Sequence, residues 1–198
     1  MRPDIDLPVI IIAGGGAKRF GAAKGLAKIG PRTLLQLVID TVRAQTTGTI
    51  CINAEHDSPY AAFGLRTLPD QAFQDCGPLT GLLTALTFAK EIGADHVLTV
   101  PVDTPFLPPN LVYELVEAGA PAIAASDDRQ HPICGLWPSA LRADLESALS
   151  DGARSVMGWV DRCGARPVTF EKETHVDPFF NVNTQDDLAR ARRIADDV

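Results

Sequence analysis

Between Ile12 and Gly25 the chain reads Ile-Ala-Gly-Gly-Gly-Ala-Lys-Arg-Phe-Gly-Ala-Ala-Lys-Gly. Glycines in a turn let backbone N–H groups come close to an anion. Arg19 and Lys24 add the positive charge that phosphate oxygens take up. Two phosphate motifs can be tested against this stretch. A P-loop needs a lysine and a hydroxyl after its second glycine, and Ala22-Ala23 follow Gly21 instead. A dinucleotide fingerprint places a third glycine where Arg19 stands, so that match fails too. An ordinary strand-to-helix turn is the plain alternative, and it leaves the two cations so near the glycines unexplained.

Three further segments carry polar groups in suggestive places. Asp103 stands just past an apolar run, in Val-Asp-Thr-Pro-Phe-Leu-Pro-Pro. Ligands of open α/β sheets bind beyond the carboxyl ends of strands, and one carboxylate there can hold Mg²⁺ together with substrate phosphates. An Asx-type turn before Pro105 is the competing explanation. Asp70, in Leu68-Pro69-Asp70, could accept from a base or ribose, although taken alone a solvated loop aspartate explains it better. It precedes Gly77-Pro78-Leu79-Thr80-Gly81, a tight approach to a helix start. In Phe180-Asn181-Val182-Asn183-Thr184 the two asparagines share one side if the segment is extended. Thr184 also reads as a helix cap, with Asp186 and Asp187 following. His131-Pro132 and Arg154-Ser155-Val156 are weaker signals, and Trp137 and Trp159 read as packing residues.

These residues need elements to position them. Val9-Ile10-Ile11-Ile12 reads as a strand buried on both faces, as in a parallel sheet. Further strands are expected at residues 49–53, 96–100, 121–125, 133–137, 166–170 and 179–182. Helices are expected at 33–45 (with Pro31 at the start), 79–92, 111–118, 138–149, 154–162 and from 184 to the end. Strands alternating with helices predict an α/β fold, three-layered and Rossmann-like, around a mainly parallel sheet. With 198 residues, and with nothing resembling a linker, one domain over 1–198 is expected.

Composition narrows the function. Lys and Arg number 18 against 25 Asp and Glu, a net charge of −7. That balance opposes duplex nucleic-acid binding, which needs a basic face, but permits a phosphate ligand held locally. No apolar run is long enough to span a membrane, and the start lacks a signal-peptide pattern. Cys51, Cys76, Cys134 and Cys163 are widely spaced and read as reduced thiols in a cytoplasmic protein.

Taken together, these segments resemble the molybdenum cofactor guanylyltransferase family, within a larger nucleotidyltransferase group. The matching pieces run from Ile12-Ala13-Gly14-Gly15 and Arg19 to Lys24, through Asn53-Ala54, Pro69-Asp70 and Gly77 to Gly81. They continue with Asp103 to Phe106, His131-Pro132, Arg154-Ser155-Val156 and Asn181 to Thr184. The order is the family's and nearly the whole chain is covered. One departure stands out. Phe20-Gly21 leads to Ala22-Ala23-Lys24, so the loop is one residue shorter than usual and lacks an acid before the lysine.

The resemblance implies GMP transfer from GTP to molybdenum-loaded molybdopterin, with pyrophosphate as the second product and Mg²⁺ as cofactor. Its implied nucleotide residues are Ile12, Ala13, Gly14, Gly15, Lys24, Asn53, Asp70 and Asp103. Arg19, Lys24 and Asp103 carry the catalysis, Asp103 as metal ligand. Arg154, Asn181 and Asn183 serve the acceptor. Molybdenum-insertion proteins or a molybdoenzyme chaperone are implied partners; nucleic acid and membranes are not. The alternatives are a sister enzyme using CTP and a nucleotide-binding homologue whose shortened loop has lost catalysis. A dinucleotide-dependent oxidoreductase is a poorer third, because the fingerprint lacks its last glycine.

Overall fold

The computed structural model describes residues 4–14, 23–73, 76–127, 129–172 and 176–196. Strand β1 (Val9–Ile12) is wholly β-branched and buried along its length. Its side chains alternate between two cores: Val9 and Ile11 enter one, Ile10 and Ile12 the other. A strand buried on both faces must lie between two layers. It is the third strand of a seven-stranded sheet, between β4 and β6.

A short hairpin, β2 (Lys28–Ile29) and β3 (Arg32–Thr33), precedes helix α1 (Leu34–Arg43). Pro31 therefore sits in the hairpin turn and does not open the helix. Thr33 caps α1 instead, its hydroxyl accepting from the Gln36 amide at 3.1 Å. Then follow β4 (Ile50–Asn53), β5 (Arg66–Leu68), α2 (Pro78–Glu91), β6 (His96–Pro101) and α3 (Leu111–Ala118). The second half contains β7 (Ala122–Ser126), β8 (Arg129–Pro138), α4 (Arg142–Ser150), α5 (Val156–Cys163), β9 (Arg166–Thr169) and α6 (Gln185–Asp196).

The sheet order is β5-β4-β1-β6-β8-β7-β9. All pairs are parallel except those made by β8, which runs antiparallel to both β6 and β7. Helices α1 and α3 cover one face, through Leu35, Val38, Ile39, Leu111 and Leu115. Helices α2, α4 and α5 cover the other, where Leu82, Leu86, Leu145 and Trp159 are buried. The three-layer α/β expectation is met. Trp137 and Trp159 are packing residues, as expected, and Trp137 Nε1 donates to Thr99 Oγ1 at 2.9 Å.

Some expectations fail. Residues 179–182 form no strand. They run as a loop, with the Phe180 amide bonded to the Asp177 carbonyl and the Val182 amide to the Asp103 carbonyl. Short apolar runs do not separate strand from loop without a partner strand to pair with. β5 was not expected, since Arg66-Thr67-Leu68 is too brief to show a period. β8 is ten residues long instead of five, because its first half is polar and does not read as a buried strand.

Candidate active site

Parallel strands present their carboxyl ends on one rim, and a cleft of about 540 Å³ opens there. Its walls include Ile12, Ala13, Gly14, Lys24, Asn53, Asp70, Asp103 and Asn181, all expected from the sequence. Gly15 and Arg19 lie outside the described residues.

The floor is built around Lys24, which is buried with only 8% exposure although it is a lysine. Its Nζ lies 2.5 Å from Asp103 Oδ2 and donates to Asn183 Oδ1 at 2.6 Å. A buried ammonium is tolerable only when paired and hydrogen-bonded, and these two oxygens supply both conditions. Asp103 keeps its other oxygen, Oδ1, buried and without a partner among the described residues. A partnerless buried carboxylate oxygen is costly and fits a cation or a donor that arrives with a ligand.

Lys24 stands on a short 3₁₀ turn, Lys24–Leu26, and Tyr60 holds that turn. The Tyr60 hydroxyl accepts from the Gly25 amide at 3.0 Å, and Tyr60 itself lines the cleft. Burial raises the Tyr60 phenol above its usual pKa; the Gly25 bond opposes this and the Asp103 charge adds to it. Nothing in the sequence marks Tyr60, which lies 36 residues from the lysine it supports.

One wall rises from β1, β4 and β5. Asn53 Nδ2 donates to the Leu68 carbonyl at 3.0 Å and to Asp70 Oδ1 at 2.8 Å. Thr84, on α2, donates to the same Asp70 oxygen at 2.8 Å. Asp70 is thus fixed, not a freely solvated loop aspartate, and its second oxygen is left beside Gly14. A Cβ on Gly14 would lie 3.8 Å from Asp70 Oδ2 and 3.5 Å from Asn53 Oδ1. Asn53 Oδ1 is buried and unpartnered among the described residues. Helix α2 comes this close because position 81 is glycine: a Cβ there would sit 2.5 Å from Asn53 Oδ1. Gly77 opens the helix at φ 65°, ψ −147°, a backbone state disfavoured for other residues. The Gly77-to-Gly81 block is therefore an approach device for the wall of Asn53 and Asp70.

The opposite wall is made by the start of β8 and the loop after residue 176. Because β8 alone runs backwards, its first residues, not its last, reach the rim. Arg129, Gln130, His131, Pro132, Ile133 and Cys134 all line the cleft. Pairing with β7 jumps from Ile123 opposite Gly135 to Ala124 opposite His131, so Pro132 to Cys134 bulge from the ladder. Burial lowers the His131 pKa; Asp177 opposes that and Arg129 adds to it. Burial drives the Cys134 thiol up, and the Asp103 charge reinforces the shift.

The two asparagines part company. Asn181 lines the cleft, whereas Asn183 binds Lys24 on the floor. They reach the site from a loop, so strand alternation is not the reason. Thr184 does cap α6: its Oγ1 accepts from the Asp187 amide at 3.1 Å, and Asp187 Oδ2 accepts in return from the Thr184 amide and hydroxyl. Arg154 is not brought to the cleft. Its guanidinium donates to the carbonyls of Leu149 and Ala153, before helix α5.

A buried lysine–aspartate pair beneath a rim of parallel strand ends fits a nucleotidyltransferase of Rossmann-like fold. Residues 9–164 match the MobA-like NTP transferase domain, and the chain belongs to that family. Among similar proteins is the molybdenum cofactor guanylyltransferase of Rhizobium meliloti, 41% identical over 93% of this chain and 89% of that protein. The protein of the same name from Cereibacter sphaeroides is 40% identical over 93% and 95%. A solved structure of molybdopterin-guanine dinucleotide biosynthesis protein A from Archaeoglobus fulgidus superposes with a TM-score of 0.75. It is 20% identical and covers 97% of this chain and 100% of its own. At that identity the likeness speaks for the fold alone.

Proposed function

We propose that this chain, as one domain over residues 1–198, transfers GMP from GTP to molybdenum-loaded molybdopterin. The products are the guanine dinucleotide form of the cofactor and pyrophosphate. The names of relatives near 40% identity over most of their length support the reaction. The observation that carries the chemistry is the Lys24–Asp103–Asn183 cluster on the cleft floor.

The terminal phosphate oxygen of the acceptor attacks the α-phosphorus of GTP. One P–O bond forms as the bond to the α–β bridging oxygen breaks, and that oxygen leaves with pyrophosphate. The nucleophile is already anionic at neutral pH, so catalysis reduces to positioning and charge neutralisation. Lys24 and Arg19 neutralise the triphosphate. Backbone groups of Ile12, Ala13, Gly14 and Gly15 approach the nucleotide, and Asn53 and Asp70 take base or ribose donors. Asp70 Oδ2 is an anionic acceptor, suited to the N–H edge of guanine. Asn181 faces the acceptor. Asn183 acts through Lys24, and Arg154 has no part.

A divalent cation fits the floor. Asp103 Oδ1 is a buried hard oxygen without a partner among the described residues, which hold no cluster of three or more His, Cys, Asp or Glu that could cage a metal. A single protein carboxylate completed by phosphate oxygens and water is how Mg²⁺ is usually held. Bound there, Mg²⁺ would supply Lewis-acid neutralisation of phosphate charge. Molybdenum-insertion proteins or a molybdoenzyme chaperone would bring the acceptor or collect the product, in a cytoplasmic setting.

The test is pyrophosphate release with GTP, Mg²⁺ and molybdenum-loaded molybdopterin. Release dependent on all three is expected. Faster release with CTP overturns the base assignment. Tight GTP binding without release, acceptor bound, overturns the enzyme reading.

A further inference from the structure

One polar cluster beside the cleft, reaching it through His131, has no part in the chemistry above. Ser126 ends β7, His131 lies near the start of β8, and Asp177 begins the loop that leads to Asn181. Ser126 Oγ lies 2.7 Å from His131 Nε2 and 2.8 Å from Asp177 Oδ1. The Phe179 amide donates to the same Asp177 oxygen at 2.9 Å. Phe179 is fully buried; its ring stacks on His131 at 4.5 Å and meets Phe170 edge-on at 5.4 Å. Histidine, loop and hairpin are locked together.

The hydrogen-bond arithmetic fixes the imidazole. A serine hydroxyl has one proton to give. Asp177, as a carboxylate, has none, so Ser126 donates to Asp177. Ser126 must then accept from His131, which places a proton on Nε2. A neutral His131 therefore carries its lone pair on Nδ1. That nitrogen has no hydrogen-bond partner among the described residues, and His131 lines the cleft opposite Asn53 and Asp70. Such an atom can only accept, and it suits an N–H donor, not a phosphate oxygen.

We propose that His131 is a binding residue for the acceptor, its Nδ1 taking an N–H of the acceptor's heterocycle, and that Ser126 and Asp177 are positioning residues that hold its tautomer. This rests on the guanylyl-transfer reading. The nucleotide occupies the Asn53–Asp70 wall and its phosphates the floor. The ring system of a pterin, with amide and amine N–H groups, is the part of the acceptor left for the β8 wall.

The two ring nitrogens can be tested separately. An asparagine amide mimics the Nδ1 position of histidine, and a glutamine amide mimics Nε2. His131→Gln keeps an anchor for Ser126 and removes the acceptor at Nδ1. His131→Asn keeps an acceptor at the cleft and gives up the anchor. We expect His131→Gln to raise the KM of molybdopterin about tenfold, the worth of one hydrogen bond, with the KM of GTP within about twofold. His131→Asn should recover much of that loss. The reverse order, with Gln near wild type and Asn impaired, would make His131 a structural anchor only and overturn the proposal. So would equal effects on the two substrates.

Should circular dichroism show both variants unfolded, Ser126→Ala decides, since it frees the tautomer without touching the ring. A raised molybdopterin KM supports the proposal, and an unchanged one sinks it. Failure of the underlying reading would look different, because the wild-type chain would then release no pyrophosphate with molybdopterin at all.

Discussion

The two walls of the cleft are built on different principles. The wall of Ile12, Gly14, Asn53 and Asp70 stands on the ends of parallel strands, and its side chains are clamped from behind by Thr84. The wall of Arg129 to Cys134 and Asn181 stands on a reversed strand, a bulge and a loop. In the first, the working groups follow directly after buried apolar runs. In the second they precede one or lie in coil. The first wall thus presents backbone and a fixed carboxylate to the cleft. The second presents side chains whose geometry depends on contacts between distant segments. Lys24, Asp103 and Asn183 join the two at the floor.

The largest expected effect is at that junction. Asp103→Ala removes the floor's carboxylate and should cut metal-dependent turnover by about 10³-fold or more; it also strands the buried Lys24 ammonium, so the melting temperature should fall with it. Near-normal rates at low Mg²⁺ would take Asp103 out of the site. Lys24→Ala should cost roughly 10²–10³ in rate, the usual loss for one charged donor in a dry phosphate site. A change under about threefold would mean that Lys24 serves the Asp103 pair and not the phosphates.

The asparagines then separate floor from wall. Asn183→Ala should lower kcat about tenfold by loosening Lys24, whereas Asn181→Ala should raise the KM of the acceptor by about two- to tenfold. If both variants move only the acceptor's KM, the floor assignment of Asn183 is wrong. The smallest effect is on the first wall. Thr84→Val deletes one of two donors to Asp70 Oδ1 and should raise the KM of GTP by about two- to tenfold, leaving that of the acceptor alone. A shift in the acceptor's KM instead would dissolve the distinction between the walls.

The first wall was legible because its chemistry is local. Glycines after four β-branched residues, an aspartate past the strand at 96–101 and the Gly77–Gly81 helix start each stand beside the element that positions them. Periodicity and turn chemistry therefore located the fold class, most helices and the residues Gly14, Lys24 and Asp103, whereas Asn53 and Asp70 were implied by the family resemblance. The loop holding Asn181 and Asn183 was misread as a strand, since a short apolar run looks the same in either state. Arg154 was implied as an acceptor residue by the family resemblance and not by its own position; here nearby carbonyls take its donors.

What the residues alone determined is the layered α/β scaffold and the polar groups at Gly14, Lys24 and Asp103, since these follow from local patterns of burial and turn. Direction of β8 is another matter. Nothing in residues 129–138 states whether the strand runs with or against its neighbours. That choice is made by pairing with β6 and β7 across more than thirty residues of chain in one case, and by a hairpin in the other. It decides which end of the strand reaches the cleft, and so whether His131 or Trp137 faces a substrate. The same holds for Tyr60 under Lys24 and for Asp177 beside Ser126. Each is an ordinary residue until packing delivers its partner, because a hydrogen bond over such sequence distances exists only once the core has closed around it.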